Sequence, residues 1–406
     1  MATAAARSQS SLEEYSARVS NTAPAPTRER LVSLDIVRGV VMILMAIDHV
    51  RVYSGLPAGG PTPGIFFTRW ITHFVAPAFV FLAGTSAYLH GTKLRDTRAL
   101  SRFLLTRGLW LVLLELTVIR VAWTFNFDFA HYMLAGVIWM IGWCMVVMAG
   151  LVHLPLVVNA IGGVAIIALH NITNYFPAGM SALGEGSMAW LWKILYLGGG
   201  FQIGSGGPPL LVLFVIVPWI GVMMSGYAFG AVMQMPPDRR RAICLRLGVA
   251  ATLAFIALRA ANSYGDPRHW NSPLAFLGTT KYPASLLFLL MTLGPMFIGL
   301  GVAERAKGRM AGVLATFGRV PFFYYLLHIP LIHAAACVVS LIREGAVNPW
   351  LFTNHPMAPG QLPPGYMWSL TLLYAVWAVV IVLLYFPCRW FAQLKATRKS
   401  VWLSYL

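Results

Sequence analysis

Charge is what this chain has least of, and acid least of all. Charged residues make up 11% of the 406, and only 13 are Asp or Glu. A soluble globular domain carries about a quarter, so that class is excluded. Cysteine is nearly as scarce. Cys144, Cys244, Cys337 and Cys388 are scattered, with neither metal-ligand nor disulfide spacing. Buried thiols are expected, and no metal. A cleavable signal peptide is not expected either, because the first apolar run is too long and lacks a small-residue cleavage site.

What is abundant is apolar surface. The chain is 58% hydrophobic, with a mean hydropathy of +0.70 and 14 Trp. Apolar runs of about 20 residues, each long enough to span a bilayer, follow one another at 32–53, 66–90, 103–122, 133–151, 154–170, 209–233, 243–262, 283–303, 312–340 and 366–388. The stretch 188–203 is weaker and reads as an interfacial or re-entrant element. The expected fold is an all-α polytopic membrane protein of about ten, at most eleven, transmembrane helices. Residues 1–27, rich in Ala, Ser and Pro, read as a disordered cytoplasmic tail. The membrane domain is expected over 28–392 and a short cytoplasmic tail over 393–406.

The net charge of +17 invites a nucleic-acid reading, but its distribution argues against one. Basic residues cluster at 28–30, 93–107, 239–246, 305–319 and 389–399. Alternate loops of a ten-span chain hold them, so both termini are predicted on the cytoplasmic side. The charge is a topology signal with membrane lipid as partner, and no nucleic acid is expected.

Ionisable groups inside a membrane helix are costly and mark candidate function. The first span carries Asp35, Arg38, Asp48, His49 and Arg51. Eleven residues bring His49 back to within about 20° of the face of Arg38, roughly 16 Å along the helix. One face thus offers a cation and a carboxylate near one end and an imidazole near the other. An orienting ion pair between Asp35 and Arg38 is the structural alternative. The second span opens with Arg69 and His73, four apart on one helical face. Asp128, with Asn126 and His131, lies in one predicted outer loop, and Lys281 with Tyr282 in another. His328 stands in mid-span, where a contact between helices competes with a cavity-facing role. The glycine-rich stretch 198–207 lacks the Gly-Lys-Ser/Thr of a phosphate loop and reads as a connection.

Together these residues resemble a family. Ser33-Leu-Asp35-Ile-Val-Arg38-Gly39 with His49 resembles the first helix of membrane acyltransferases. The segments Phe67-Thr-Arg69-Trp-Ile-Thr-His73, Pro218-Trp219, Tyr264-Gly-Asp266-Pro267, Thr280-Lys281-Tyr282-Pro283 and Tyr325-Leu-Leu-His328 are similar to segments of bacterial proteins. Those proteins are grouped with the heparan-alpha-glucosaminide N-acetyltransferase catalytic domain. The resemblance covers about residues 30–390. It implies a bacterial inner-membrane enzyme that moves an acyl group, acetyl above all, from cytosolic acyl-CoA to an extracytoplasmic sugar or lipid-linked acceptor. One departure matters. The lysosomal enzyme of this group has its catalytic histidine in the loop after the first span, and residues 54–65 here contain none. His49 instead matches the first-span histidine of the broader sugar O-acyltransferase group, so heparan sulfate as substrate does not follow.

The expected roles are these. Arg38, with Asp35 beside it, holds the acyl-CoA phosphates. His49 is general base, with Asp48 or Asp35 tuning it, and His73 can exchange places with it. His73, Arg69 or His328 stabilises the oxyanion. Arg69, Asp128, Lys281 and His328 line the acceptor side. A transporter or flippase of a polar or lipid-linked substrate would use the same buried charges. The acceptor, O- against N-transfer and homo-oligomer formation stay open.

Overall fold

The computed structural model describes residues 30–356 and 361–398. The expected tail 1–27 and residues 399–406 lie outside them. The architecture belongs to the unit that begins at Val32, and it is mostly helical.

Helix α1 spans Val32–Ser54, with Asp35 in its first turn and Arg51 in its last. This is the sense that suits the helix dipole. Helix α2 runs Pro63–Leu94 through a tight turn at Ile71–Phe74. Helix α3, Thr97–Leu114, continues through a π-helical turn at Glu115–Ile119 into Arg120–Thr124. Strand β1, Met133–Ala135, precedes α4, Val137–Leu151, and α5 covers Leu156–Tyr175. Strands β2, Gly199–Gln202, and β3, Pro209–Val212, lead into α6, Val217–Phe229. Helices α7, Pro237–Ala261, and α8, Leu286–Ala303, form an adjoining pair. The last three are α9, Arg309–Arg319, α10, Pro321–Glu344, and α11, Leu370–Thr397.

Among the described residues, six helices are long and apolar enough to cross a membrane by length and composition: α2, α5, α7, α8, α10 and α11. Helix α1 is as long but carries four charges. Four expected segments fold differently. Residues 133–151 and 209–233 each begin as a strand, and β1 pairs with β3 in parallel, Met133 opposite Leu210. A short apolar run cannot be told from a helix by periodicity, and here Gly136 and Pro218 delay the helices. The weak stretch 188–203 is a short helix, a π turn and strand β2, which pairs antiparallel with β3. Residues 312–340 divide at Val320, because Pro321 lacks the N–H that continuing the helix needs and starts α10 instead. Helix α11 runs past 392 to Thr397.

Helix α1 is the centre of the packing, in contact with α2, α8, α9, α10 and α11. Its core face is Met42, Met45, Ala46 and Val50, all nearly or fully buried. Two side chains fasten its middle. The Tyr324 hydroxyl donates to the Met42 carbonyl at 3.0 Å, and the Trp377 indole to the Ile43 carbonyl at 2.9 Å. Close approach to α9 depends on two glycines. A side chain on Gly39 would run into the backbone of Leu314, and one on Gly318 into that of Asp35. The first and middle turns of α1 are thereby fixed by packing.

Candidate functional site

The C-terminal end of α1 opens on a cavity of about 270 Å3 lined by Asp48, His49, Arg51, Arg69, Thr72, Glu115, Trp123, Phe214, Lys281, Tyr282 and Tyr325, among others. Its walls come from α1, α2, the π turn after α3 and the helical turn Arg120–Thr124, the start of α4, β3, the loop before α8, and α10.

His49 is held from behind by His328. The His49 Nδ1 lies 2.7 Å from the His328 Nε2, and the rings stack with centroids 4.9 Å apart. His328 is fully buried, and its Nδ1 is 2.7 Å from the Tyr325 carbonyl. A carbonyl only accepts, so this nitrogen carries hydrogen. With both rings neutral, the His328 Nε2 is then an acceptor and the His49 Nδ1 its donor. The basic lone pair of His49 is left on Nε2. Trp123 stands edge-on at 4.7 Å, and its carbonyl accepts the Tyr53 hydroxyl at 2.6 Å.

Asp48 points elsewhere. It accepts from the Arg51 Nε at 2.8 Å and pairs with the Arg69 Nη1 at 3.3 Å. The structure therefore gives His49 a histidine partner, where the sequence suggested a carboxylate. The Arg51 Nη1 also donates to the Leu56 carbonyl at 2.9 Å, which closes the turn after α1.

The other expected residues divide. Arg69 and Lys281 line the cavity. His73 is buried against Phe288, ring centroids 5.4 Å apart, and is not in the lining. His328 is one residue removed from it. Asp128 belongs to an exposed loop, where the His131 ring 2.7 Å away holds its carboxyl below the usual range. Its backbone carbonyl is one of several oxygens around the buried Arg120. Arg38 and Asp35 sit at the other end of α1, 3.6 Å apart. Arg38 also donates to the Leu82 carbonyl at 3.3 Å and bonds Ser86. Among the described residues no cluster of three metal-ligating side chains occurs.

Glu115 was not singled out in the sequence, although a lone acid inside the run 103–122 is a signal of the same kind as His49. It is buried in the π turn, and such turns recur at functional sites. Its Oε2 accepts from the Ile138 N–H at 3.0 Å, at the N-terminus of α4, and its other oxygen fills the space that a side chain on Gly136 would take. The partial positive end of α4 thus faces this carboxyl group.

A half-buried histidine on a buried one, beside an ion-pair cluster, faces a cavity in a bundle of apolar helices, and the class these helices define is a multi-pass membrane protein. Residues 30–264 match the family model of the heparan-alpha-glucosaminide N-acetyltransferase catalytic domain, and the chain belongs to that family. It is thus of the transferase class. A search of curated proteins finds no match. Lys281, Tyr325 and His328 lie beyond the matched stretch.

Proposed function

We propose that the protein transfers an acyl group, acetyl first among them, from cytosolic acyl-CoA to a hydroxyl or amine of an extracytoplasmic carbohydrate or lipid-linked acceptor. The observation that carries this reading is the His328–His49 contact at 2.7 Å. It leaves an unprotonated nitrogen on a residue that lines the cavity.

In this reading His49 Nε2 takes the proton of the acceptor O–H or N–H as that atom attacks the thioester carbonyl. The tetrahedral oxyanion is stabilised by Arg69, the expected oxyanion group that lines the cavity. Collapse breaks the carbon–sulfur bond, and the thiolate leaves with the proton held by His49. Asp48 keeps Arg51 and Arg69 in place. Arg38, roughly 16 Å down the helix from His49, is suited by charge to the donor phosphates, with the pantetheine arm along the α1 face between them. In the ten-span topology expected from the loop charges, with both termini cytoplasmic, Arg38 is at the inner and His49 at the outer side.

The test is acetyl-CoA binding and hydrolysis by the detergent-purified full chain, beside His49→Ala and Arg38→Ala. The expected result is slow hydrolysis by the wild type, lost in His49→Ala with binding kept, and binding lost in Arg38→Ala. A folded wild type that neither binds nor hydrolyses acetyl-CoA or longer acyl-CoAs overturns the proposal.

A further inference from the structure

We infer that the acceptor bears an anionic oxygen group, a carboxylate or a phosphate, and that Lys281 holds it; this deepens the acyl-acceptor reading of the cavity and rests on it. The charges of the lining do not cancel locally. Three cations, Arg51, Arg69 and Lys281, face two acids, Asp48 and Glu115. Asp48 is shared by the two arginines. Glu115 is turned to the N-terminus of α4. Among the described residues no carboxylate lies within ion-pair distance of Lys281. Its ammonium instead sits over two rings, 5.6 Å from the centroid of Phe214 and 5.3 Å from that of Tyr282. Aromatic faces attract a cation without neutralising it.

A surface lysine needs no scaffold, but this one has an elaborate scaffold. The buried Asp266 clamps both flanks of the turn that carries it. Its carboxylate accepts from the Thr280 N–H at 2.7 Å, the Thr280 hydroxyl at 2.9 Å, the Ser285 hydroxyl at 2.6 Å and the Arg268 N–H at 2.8 Å. Beneath it the buried Arg259 donates to the carbonyls of Arg268, Ala275 and Phe276 at 2.6, 2.7 and 3.0 Å. The Trp70 indole ties the loop to α2 through the Leu277 carbonyl at 3.2 Å. A cation held this way loses little freedom when it binds. A compact ammonium suits the point charge of a carboxylate or phosphate, and the two rings suit the apolar face of a sugar or the start of a lipid chain.

The inference is tested by titration calorimetry of the full chain in neutral detergent, with no acyl-CoA present, so the result is readable whether or not the protein proves to be a transferase. Three probes are compared: methyl glucuronide, octyl phosphate and neutral methyl glucoside. The wild type is expected to bind at least one anionic probe about tenfold more tightly than the glucoside, a difference set by one well-placed charge pair. Lys281→Gln should abolish that preference and Lys281→Arg should keep most of it, at unchanged melting temperature. A preference for glucuronide assigns a sugar acid as acceptor, and one for octyl phosphate assigns a lipid-linked phosphate. Equal affinity for all three probes, or a preference that survives in Lys281→Gln, overturns the inference.

Discussion

His49 and His328 meet nitrogen to nitrogen, Nδ1 to Nε2, at 2.7 Å across the interface of α1 and α10. The chain of hydrogen bonds ends on the Tyr325 carbonyl, so backbone geometry sets the tautomer of the residue that faces the cavity. His49→Ala is expected to lower turnover by about 10²- to 10⁴-fold, the usual contribution of a general base.

His328→Phe tests the relay itself. The ring volume is roughly kept, but the acceptor for the His49 Nδ1–H is lost, and so is the choice of tautomer. Turnover should fall by at least about tenfold while the KM for acyl-CoA stays near the wild-type value. Steady-state kinetics decide. A raised KM with unchanged turnover would show that His328 only packs.

Asp48 serves two arginines, at 2.8 and 3.3 Å. Removing one partner of a fully buried pair leaves uncompensated charge, typically at a cost of about 3–5 kcal/mol. Asp48 and Arg69 are half-buried and line the cavity, so Asp48→Asn is expected to lower stability by less than that. Adding Arg69→Gln should restore part of it, since one stranded cation is then gone. Unfolding of the single and double variants in detergent measures the coupling. Strict additivity of the two changes would refute the shared-acid arrangement.

The sequence carried the charged face of α1 legibly, because a membrane helix has so few other charges. It also brought out His328, for which a contact between helices and a cavity-facing role stood level; the structure shows the contact, with His49. The two strands were not legible: Met133-Leu-Ala135 and Pro209-Leu-Leu-Val212 are apolar, and only their mutual pairing makes them strands. Nor could spacing reveal that His49 would choose His328 over the adjacent Asp48, as their 279-residue separation is a tertiary fact. Packing separates the two histidines, which look alike in the sequence. The tight turn at Ile71–Phe74 turns Thr72 into the lining and leaves His73 against Phe288.

The seam between α1 and α9 gives a prediction about stability. Gly318 faces the backbone of Asp35 with no room for a side chain, and Gly39 faces that of Leu314. Small residues let membrane helices approach closely. Gly318→Ala must push the helices apart or strain them, at a cost of about 1–3 kcal/mol. Since the displaced backbone is that of Asp35, the Arg38 end of α1 moves first. Acetyl-CoA affinity should weaken before turnover does. Equal affinity in a folded Gly318→Ala protein would break the link between this seam and the donor end.

Asp266 provides the sharpest separation of local order from global stability. It gathers four donors, two from Thr280 and one each from Ser285 and Arg268. Asn is nearly isosteric, but it offers one oxygen and turns an N–H2 towards groups that themselves donate. Each lost hydrogen bond to a charged group is worth about 1.5–3 kcal/mol. These donors all belong to the 266–285 region, so the loss should concentrate there. Hydrogen exchange in Asp266→Asn is expected to quicken over residues 265–285 and to stay as in wild type over α1 and α10. Since Lys281 rides on the loop, the KM for the acceptor should rise more than turnover falls. Exchange that quickens uniformly through α1 and α10 would mean that Asp266 supports the whole bundle and does not specifically set the position of Lys281.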